Sequence, residues 1–180
     1  SAVAAFNIFT TVNNIVATCF MAMGTAAGII IGNLLGANDK EGAVRAYKRL
    51  AIFSVVFSLF FTAFMLIIAP FYPKVYQTSD QVRQLATQFM IVGGLFIPVQ
   101  AYLNVAYFTL RSGGCITVTF VFDCVFILGI SVPLAYFLSR YTDIPAIYLY
   151  AVVEGASLAK SLMGFIMIRT GVWLKNLVNT

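Results

Sequence analysis

Hydrophobic and polar residues alternate along this chain in long blocks, with five charge-poor apolar runs separated by short clusters that hold nearly every charge. Each run is long enough for a helix of about 20 residues, the length that crosses a hydrocarbon core of roughly 30 Å. A helix also satisfies its own backbone amides where water is absent, whereas an isolated strand does not. The predicted spans are residues 10–36, 50–72, 84–110, 115–138 and 145–168. The pattern therefore predicts an all-α, polytopic membrane protein.

Composition and charge distribution agree with a membrane location. The chain is 61% hydrophobic and 9% charged, which a soluble domain of 180 residues could not cover with polar surface. The net charge of +5 could indicate a nucleic-acid surface, but its distribution follows the positive-inside bias if the chain starts outside. Seven basic residues are then cytoplasmic and three are outside: Lys40, Arg45, Lys48, Arg49, Arg111, Arg169 and Lys175 against Lys74, Arg83 and Arg140. We predict a multi-pass protein of the cell (plasma) membrane with a cytoplasmic C-terminus and membrane lipid, not nucleic acid, as partner.

Several kinds of chemistry have no residues to support them. The chain has no histidine, which removes Ser-His-Asp and Cys-His catalysis and histidine-ligated metals. The spacing of Cys19, Cys115 and Cys124 matches no zinc or redox motif, and no phosphate-binding loop of the ATPase type is present. We therefore predict no enzyme activity, no catalytic residue, no bound metal and no cofactor beyond a coupling ion.

The start of the chain suggests part of a longer protein. Ser1 begins an apolar stretch without an initiator Met or a preceding basic segment. The number of spans is odd, and no internal repeat is visible, whereas transporters are commonly assembled from paired repeats. We expect further helices of the same protein to accompany these five.

The first span ends in a stripe of glycines spaced by four, so that all lie on roughly one helix face. The stripe consists of Gly24, Gly28, Gly32 and Gly36. Small residues let another helix approach closely, so the stripe is either a fixed packing seam or a seam that slides during a conformational change.

The segment after the stripe and the second span have simpler interpretations. Asn38 and Asp39 suit a turn and a helix N-cap, and the basic residues that follow suit a short amphipathic stretch at the anionic inner leaflet. The second span is rich in phenylalanine and ends at Pro70 and Pro73, which indicates lipid-facing scaffold.

The third span contains a proline and a polar stripe. Pro98 leaves the carbonyl of Gly94 without its usual donor and permits a bend. Beyond it, Gln100, Asn104 and Tyr107 fall on one face, which we predict to face a cavity shared with Glu154. At such depth, polar side chains either bind neighbouring helices or line a cavity.

Ionisable residues inside the last two spans are the strongest functional candidates, because a charge in hydrocarbon is costly unless it is paired or hydrated. Asp123 lies about 12 Å from the inner face and Lys160 about 13 Å from it at 1.5 Å per residue. Antiparallel helices could therefore pair them. Glu154 lies deeper, faces elsewhere and lacks an obvious partner, so it is a candidate for exchanging a proton or cation or, alternatively, a carboxylate that serves packing.

Several short motifs together resemble the multidrug and toxic compound extrusion (MATE) family. They are Gly32-Asn-Leu-Leu-Gly-Ala37 with Glu41-Gly-Ala43, Leu110-Arg-Ser-Gly-Gly114, Phe122-Asp123 with Ser131-Val-Pro133-Leu-Ala135, and Gly171-Val-Trp173-Leu-Lys175-Asn176. Each motif alone is weak, whereas their order and spacing are specific, and the likeness covers the whole chain.

The resemblance implies a twelve-helix transporter with two six-helix lobes that exports small cationic solutes in exchange for sodium ions or protons. It places this chain at helices eight to twelve, most of the C-terminal lobe, with the N-terminal lobe as its missing partner. The tenth-helix acid that binds the cation in some members falls on Gln100 here. If this lobe couples export to ion entry, the resemblance implies that Asp123 or Glu154 binds the coupling ion. If it does not, the coupling site lies in the N-terminal lobe.

Two other functions remain open. A flippase for lipid-linked oligosaccharides or polysaccharides, from the same superfamily, would share these helices but should line its cavity with more basic residues than Lys160 alone. A membrane-embedded lipid-modifying enzyme would need a polar catalytic cluster at the interface. The candidate substrate-binding or ion-binding residues are Glu154, Asp123, Lys160, Gln100, Asn104 and Tyr107.

Overall fold

The computed structural model describes residues 2–141 and 145–174, and the regular structure in these ranges is helical throughout. The helices are α1 (Ala2–Gly36), α2 (Lys40–Ile68), α3 (Asp80–Ser112), α4 (Ile116–Phe126), α5 (Val132–Tyr141) and α6 (Ala146–Arg169). A short 3-10 turn, Tyr72–Val75, precedes α3, and a π-helical segment, Ile127–Ser131, joins α4 to α5. Ser1, Lys175 and Asn176 lie outside the described residues.

Within the described ranges, five helical segments are long and apolar enough to cross a membrane: α1, α2, α3, the segment within α4 to α5, and α6. The predicted all-α fold with five spans is therefore confirmed. The helices α2 and α3 begin before their predicted spans because they include charged first turns, whereas α1 begins earlier within an uncharged stretch. The first span begins at Ala2 and the third extends from Asp80 to Ser112.

The turn before α2 follows the predicted chemistry. Asn38 adopts a left-handed conformation with φ of 61°, and the Oδ1 atom of Asp39 accepts a hydrogen bond from the backbone N–H of Gly42 at 2.8 Å. Asp39 is thus the N-cap of α2, as predicted. The basic stretch that follows is not a separate element, because it forms the first turns of α2.

The other end of α2 lies four residues before the predicted limit of the span. The helix ends at Ile68 with Ala69 as its C-cap, and the next residue, Pro70, has no backbone N–H to continue the helical hydrogen bonds. Pro73 lies in the 3-10 turn, where its fixed φ is tolerated near the first position. The two prolines therefore terminate the helix and do not belong to it.

The central helix of the bundle is α3, which packs against α1, α2, α4 and α6. Two apolar clusters lie at different heights along it. The first includes Phe9, Phe20, Met65, Phe89 and Met90, and the second includes Ile31, Leu35, Tyr47, Leu110 and Trp173. The polar stripe of α3 lies where the two clusters meet, since Ala101 belongs to the first cluster and Val105 to the second.

The glycine stripe of α1 packs against the second half of α3. The hydroxyl of Ser112 donates to the carbonyl of Gly28 at 2.7 Å, and a Cβ atom at Gly24 would lie 2.7 Å from the ring of Phe108. A Cβ at Gly36 would have no neighbour within 4 Å. The stripe is therefore a packing seam that opens toward the end of α1.

The carbonyl freed by Pro98 has a substitute donor from a neighbouring helix. The hydroxyl of Thr62, on α2, donates to the carbonyl oxygen of Gly94 at 3.1 Å. Ser54 similarly donates to the carbonyl of Ala101 at 3.3 Å. One face of α2 thus binds the α3 backbone, whereas its opposite face exposes apolar side chains such as Phe60 and Ile67. The prediction of a lipid-facing scaffold describes only that second face.

Thr62→Val should destabilise the full-length protein by about 1 kcal/mol, since the variant keeps the shape but leaves the Gly94 carbonyl without a donor. In a Pro98→Ala background the new N–H of residue 98 can bond to that carbonyl, so the same substitution should cost little. Unfolding of the four purified proteins in mixed micelles would measure both differences. Equal losses in the two backgrounds would show that the Thr62 hydrogen bond does not compensate for Pro98.

Candidate functional site

Two cavities lie along the polar stripe of α3. The first, which we call the Glu154 cavity, has a volume of about 330 Å³ and lies between α1, α3 and α6. Its polar lining consists of Asn13, Gln100, Asn104, Tyr150 and Glu154. The Glu154 cavity is therefore lined by amide, hydroxyl and carboxylate oxygen atoms from three helices.

Glu154 has a neutral partner in this cavity. The Nε2 atom of Gln100 donates a hydrogen bond to its Oε2 atom at 3.3 Å, although the sequence predicted no obvious partner. Tyr150 precedes it by one turn on α6 and lines the same cavity. Within the described part of the chain, no lysine or arginine forms a salt bridge with Glu154. The carboxylate is thus held by an amide while its negative charge remains uncompensated.

The second cavity, which we call the Asp123 cavity, has a volume of about 240 Å³ and lies between α1, α3, α4 and α6. The Oδ1 atom of Asp123 lies 2.5 Å from Nζ of Lys160, and its Oδ2 atom lies 3.8 Å from Nη2 of Arg111. The structure therefore contains the pair that the matched depths predicted. The Lys160 ammonium also lies 5.2 Å from the centre of the Tyr107 ring, a cation–π distance.

The sequence did not indicate that Arg111 lies beside Asp123 and Lys160. As one of the seven basic residues on the predicted cytoplasmic side, Arg111 already had an explanation in the topology. It occupies the last turn of α3, and the tight turn at Gly113 and Gly114 brings α4 back beside it. A long arginine side chain at the end of a helical hairpin can reach back toward a carboxylate on the partner helix. The position of Arg111 just before a tight turn, with Asp123 on the next helix, was therefore the sequence signal that could have revealed this contact.

Two side chains of the polar stripe belong to both cavities. Gln100 and Asn104 line each of them, and Nδ2 of Asn104 donates to the backbone carbonyl of Gln100 at 3.0 Å. Of these two cavities, Tyr107 lines the Asp123 cavity and not the Glu154 cavity. Seven residues after Gln100, Tyr107 lies about 10 Å further along the helix, which moves it to the next cavity.

The charges of the two cavities differ in sign. The Glu154 cavity contains one carboxylate and no basic side chain, whereas the Asp123 cavity contains one carboxylate and two basic side chains. Among the described residues, no group of three or more histidine, cysteine or acidic side chains could hold a metal ion. The first cavity suits a proton or a cation, and the second suits an anion.

Membrane-spanning helices that enclose adjoining polar cavities define the general class of a polytopic membrane transporter. Comparison with family models matches residues 1–137 of this chain to MatE. The chain therefore belongs to the MatE family of membrane transporters, and the resemblance seen in its motifs is confirmed over residues 1–137. Comparisons with curated proteins and with solved structures found no match.

Proposed function

We propose that this chain forms most of one six-helix lobe of a multidrug efflux antiporter, which exports small cationic compounds in exchange for protons or sodium. Membership of the MatE family supports the transporter class. The observation that carries the antiport proposal is the carboxylate of Glu154, which lines a polar cavity with Gln100 as neutral partner. The N-terminal lobe of the same protein would complete the pathway.

The mechanism follows from competition for one negative charge. Ionised Glu154 attracts a cationic solute, and protonation removes that attraction and releases the solute. A sodium ion would compete in the same way, because carboxylate and amide oxygens are ligands that hard cations prefer. Binding drives transport only if the inward-open and outward-open states differ in affinity for the two competitors. Gln100, in the position of the tenth-helix acid of some members, would orient the carboxylate and not replace it.

Glu154→Gln in the full-length protein should weaken coupled export of a cationic dye, with an expected loss of about tenfold or more in initial rate. The amide keeps the size of the side chain but carries no charge at any pH. Everted vesicles energised by a pH gradient or by a sodium gradient would identify the coupling ion. Glu41→Gln is the matched control, because it removes the same charge from an exposed position in the first turn of α2.

Wild-type export with an unchanged pH and sodium profile in Glu154→Gln would reject this site and move coupling to the other lobe. Loss of export in both variants would point to a general effect on folding or insertion. The amount of protein inserted in the membrane therefore has to be measured for each variant.

A flippase for lipid-linked oligosaccharides or polysaccharides is the second candidate. One observation favours it: Arg111 joins Lys160 in the Asp123 cavity, where the sequence indicated a single basic residue. A pyrophosphate linkage would need such a pair. Translocation of a fluorescent lipid-linked oligosaccharide that survives Glu154→Gln but fails in Arg111→Gln would support this function over antiport.

A further inference from the structure

Arg111 lines the Asp123 cavity but contacts its carboxylate only loosely. The nearest contact of Arg111 with Asp123, at 3.8 Å, is longer than a direct hydrogen bond. The Lys160 ammonium forms an ion pair with Oδ1 of Asp123, and the hydroxyl of Tyr107 is buried in the same cavity. The guanidinium of Arg111 donates no hydrogen bond to any residue in the described ranges, although the Phe108 ring lies 5.7 Å from it. An acceptor-rich group would satisfy these donors.

The charge of the cavity points the same way. Two basic side chains and one carboxylate leave a net charge of +1, and no other ionisable side chain among the described residues lines this space except a tyrosine. An uncompensated charge near hydrocarbon is costly. A singly charged anion would neutralise the cavity.

We propose that Arg111 and Lys160 bind a phosphate group in the Asp123 cavity. A guanidinium offers a planar fork of N–H groups that matches two phosphate oxygens, and an ammonium adds a point charge beside it. A phosphodiester carries one negative charge, equal and opposite to that of the cavity. The group can come from an anionic phospholipid headgroup or from free phosphate in solution.

The position of Arg111 makes the phospholipid headgroup accessible as a source. The residue lies in the last turn of a membrane-spanning helix, and its side chain is 44% exposed, more than that of Lys160 or Asp123. Basic pockets between transmembrane helices are known binding sites for phospholipid headgroups. For the antiport function this site is separate from Glu154, whereas for the flippase candidate it is the site that would hold the pyrophosphate linkage.

Binding would be tested on the full-length protein purified in a neutral detergent, with two probes. Inorganic phosphate would be titrated while thermal stability is followed, and phosphatidylglycerol would be compared with phosphatidylcholine for retention in native mass spectrometry. Arg111→Gln should weaken binding roughly tenfold, because it removes charged hydrogen bonds, and Arg111→Lys should weaken it less. Asp123→Asn raises the net charge of the cavity to +2 and should strengthen phosphate binding, although we expect the same change to destabilise the protein.

Arg169→Gln is the matched control, because it removes one exposed arginine from the last turn of α6. Selective binding of either probe that Arg111→Gln lowers and Arg169→Gln does not would support the site, and the probe that binds would identify the source. Equal losses in these two variants would reject it in favour of general attraction to a basic protein. Absence of binding by both probes, or weaker binding by a folded Asp123→Asn protein, would also overturn the proposal.

Discussion

Asp123→Asn should destabilise the full-length protein by about 3 kcal/mol, more than Lys160→Met does, and the double variant should lose less than the sum of the two. The first change leaves Lys160 and Arg111 facing each other without a carboxylate. The second leaves Asp123 with Arg111, whose guanidinium lies 3.8 Å away and supplies part of the missing charge. Unfolding free energies of the unmodified protein, the two single variants and the double variant form a double-mutant cycle. The cycle gives the interaction energy between Asp123 and Lys160 directly.

A surface ion pair provides the control for this cycle. Arg83 and Asp80 form a salt bridge at 3.2 Å on the first turn of α3, where the Asp80 side chain is 98% exposed. Asp80→Asn should change stability little, because an exposed pair is screened by water. If the Asp123 and Lys160 losses were additive, or as small as that of Asp80→Asn, the pair would not stabilise the bundle.

The spans and the ion pair could be predicted because a membrane narrows the alternatives. Charges must lie outside the apolar runs or find a partner within them, so counting residues from the span ends was enough to place Asp123 beside Lys160. The missing N–H of Pro98 likewise predicted that the carbonyl of Gly94 would lose its donor. The sequence could not identify Thr62 as the substitute, because that choice depends on how α2 is rotated against α3.

The candidate site was predicted less completely for a similar reason. Helical periodicity shows which face a side chain occupies, but not which neighbour lies at each height along that face. Gln100 and Tyr107 share a face, yet one contacts Glu154 and the other lies beside Lys160. Arg111 was hidden because its charge already had an explanation in the topology. A local explanation of a charge therefore does not exclude a second role.

Alanine substitutions along the glycine stripe should destabilise the protein in graded order, with the largest loss at Gly24, about 1–3 kcal/mol from overpacking. A Cβ there would lie 2.7 Å from the Phe108 ring and 3.1 Å from the backbone oxygen of Asn104. At Gly28 the nearest atom is the Ser112 hydroxyl oxygen at 3.2 Å. Thermal unfolding of each variant would measure the order. Because Asn104 lines both cavities, Gly24→Ala should also slow transport.

Gly36 is the internal control, since a Cβ there meets no atom within 4 Å and replacing glycine in a helix with alanine gains up to about 1 kcal/mol. Gly36→Ala should therefore be neutral or slightly stabilising. Equal losses of stability at all four positions would contradict the finding that the seam is open at Gly36.

A valine at Gly36 separates the two interpretations of the stripe. A fixed seam predicts normal transport in a stable Gly36→Val protein. If α1 slides along α3 during transport, Gly36 enters the contact in the other state, and the same variant should unfold normally but transport slowly.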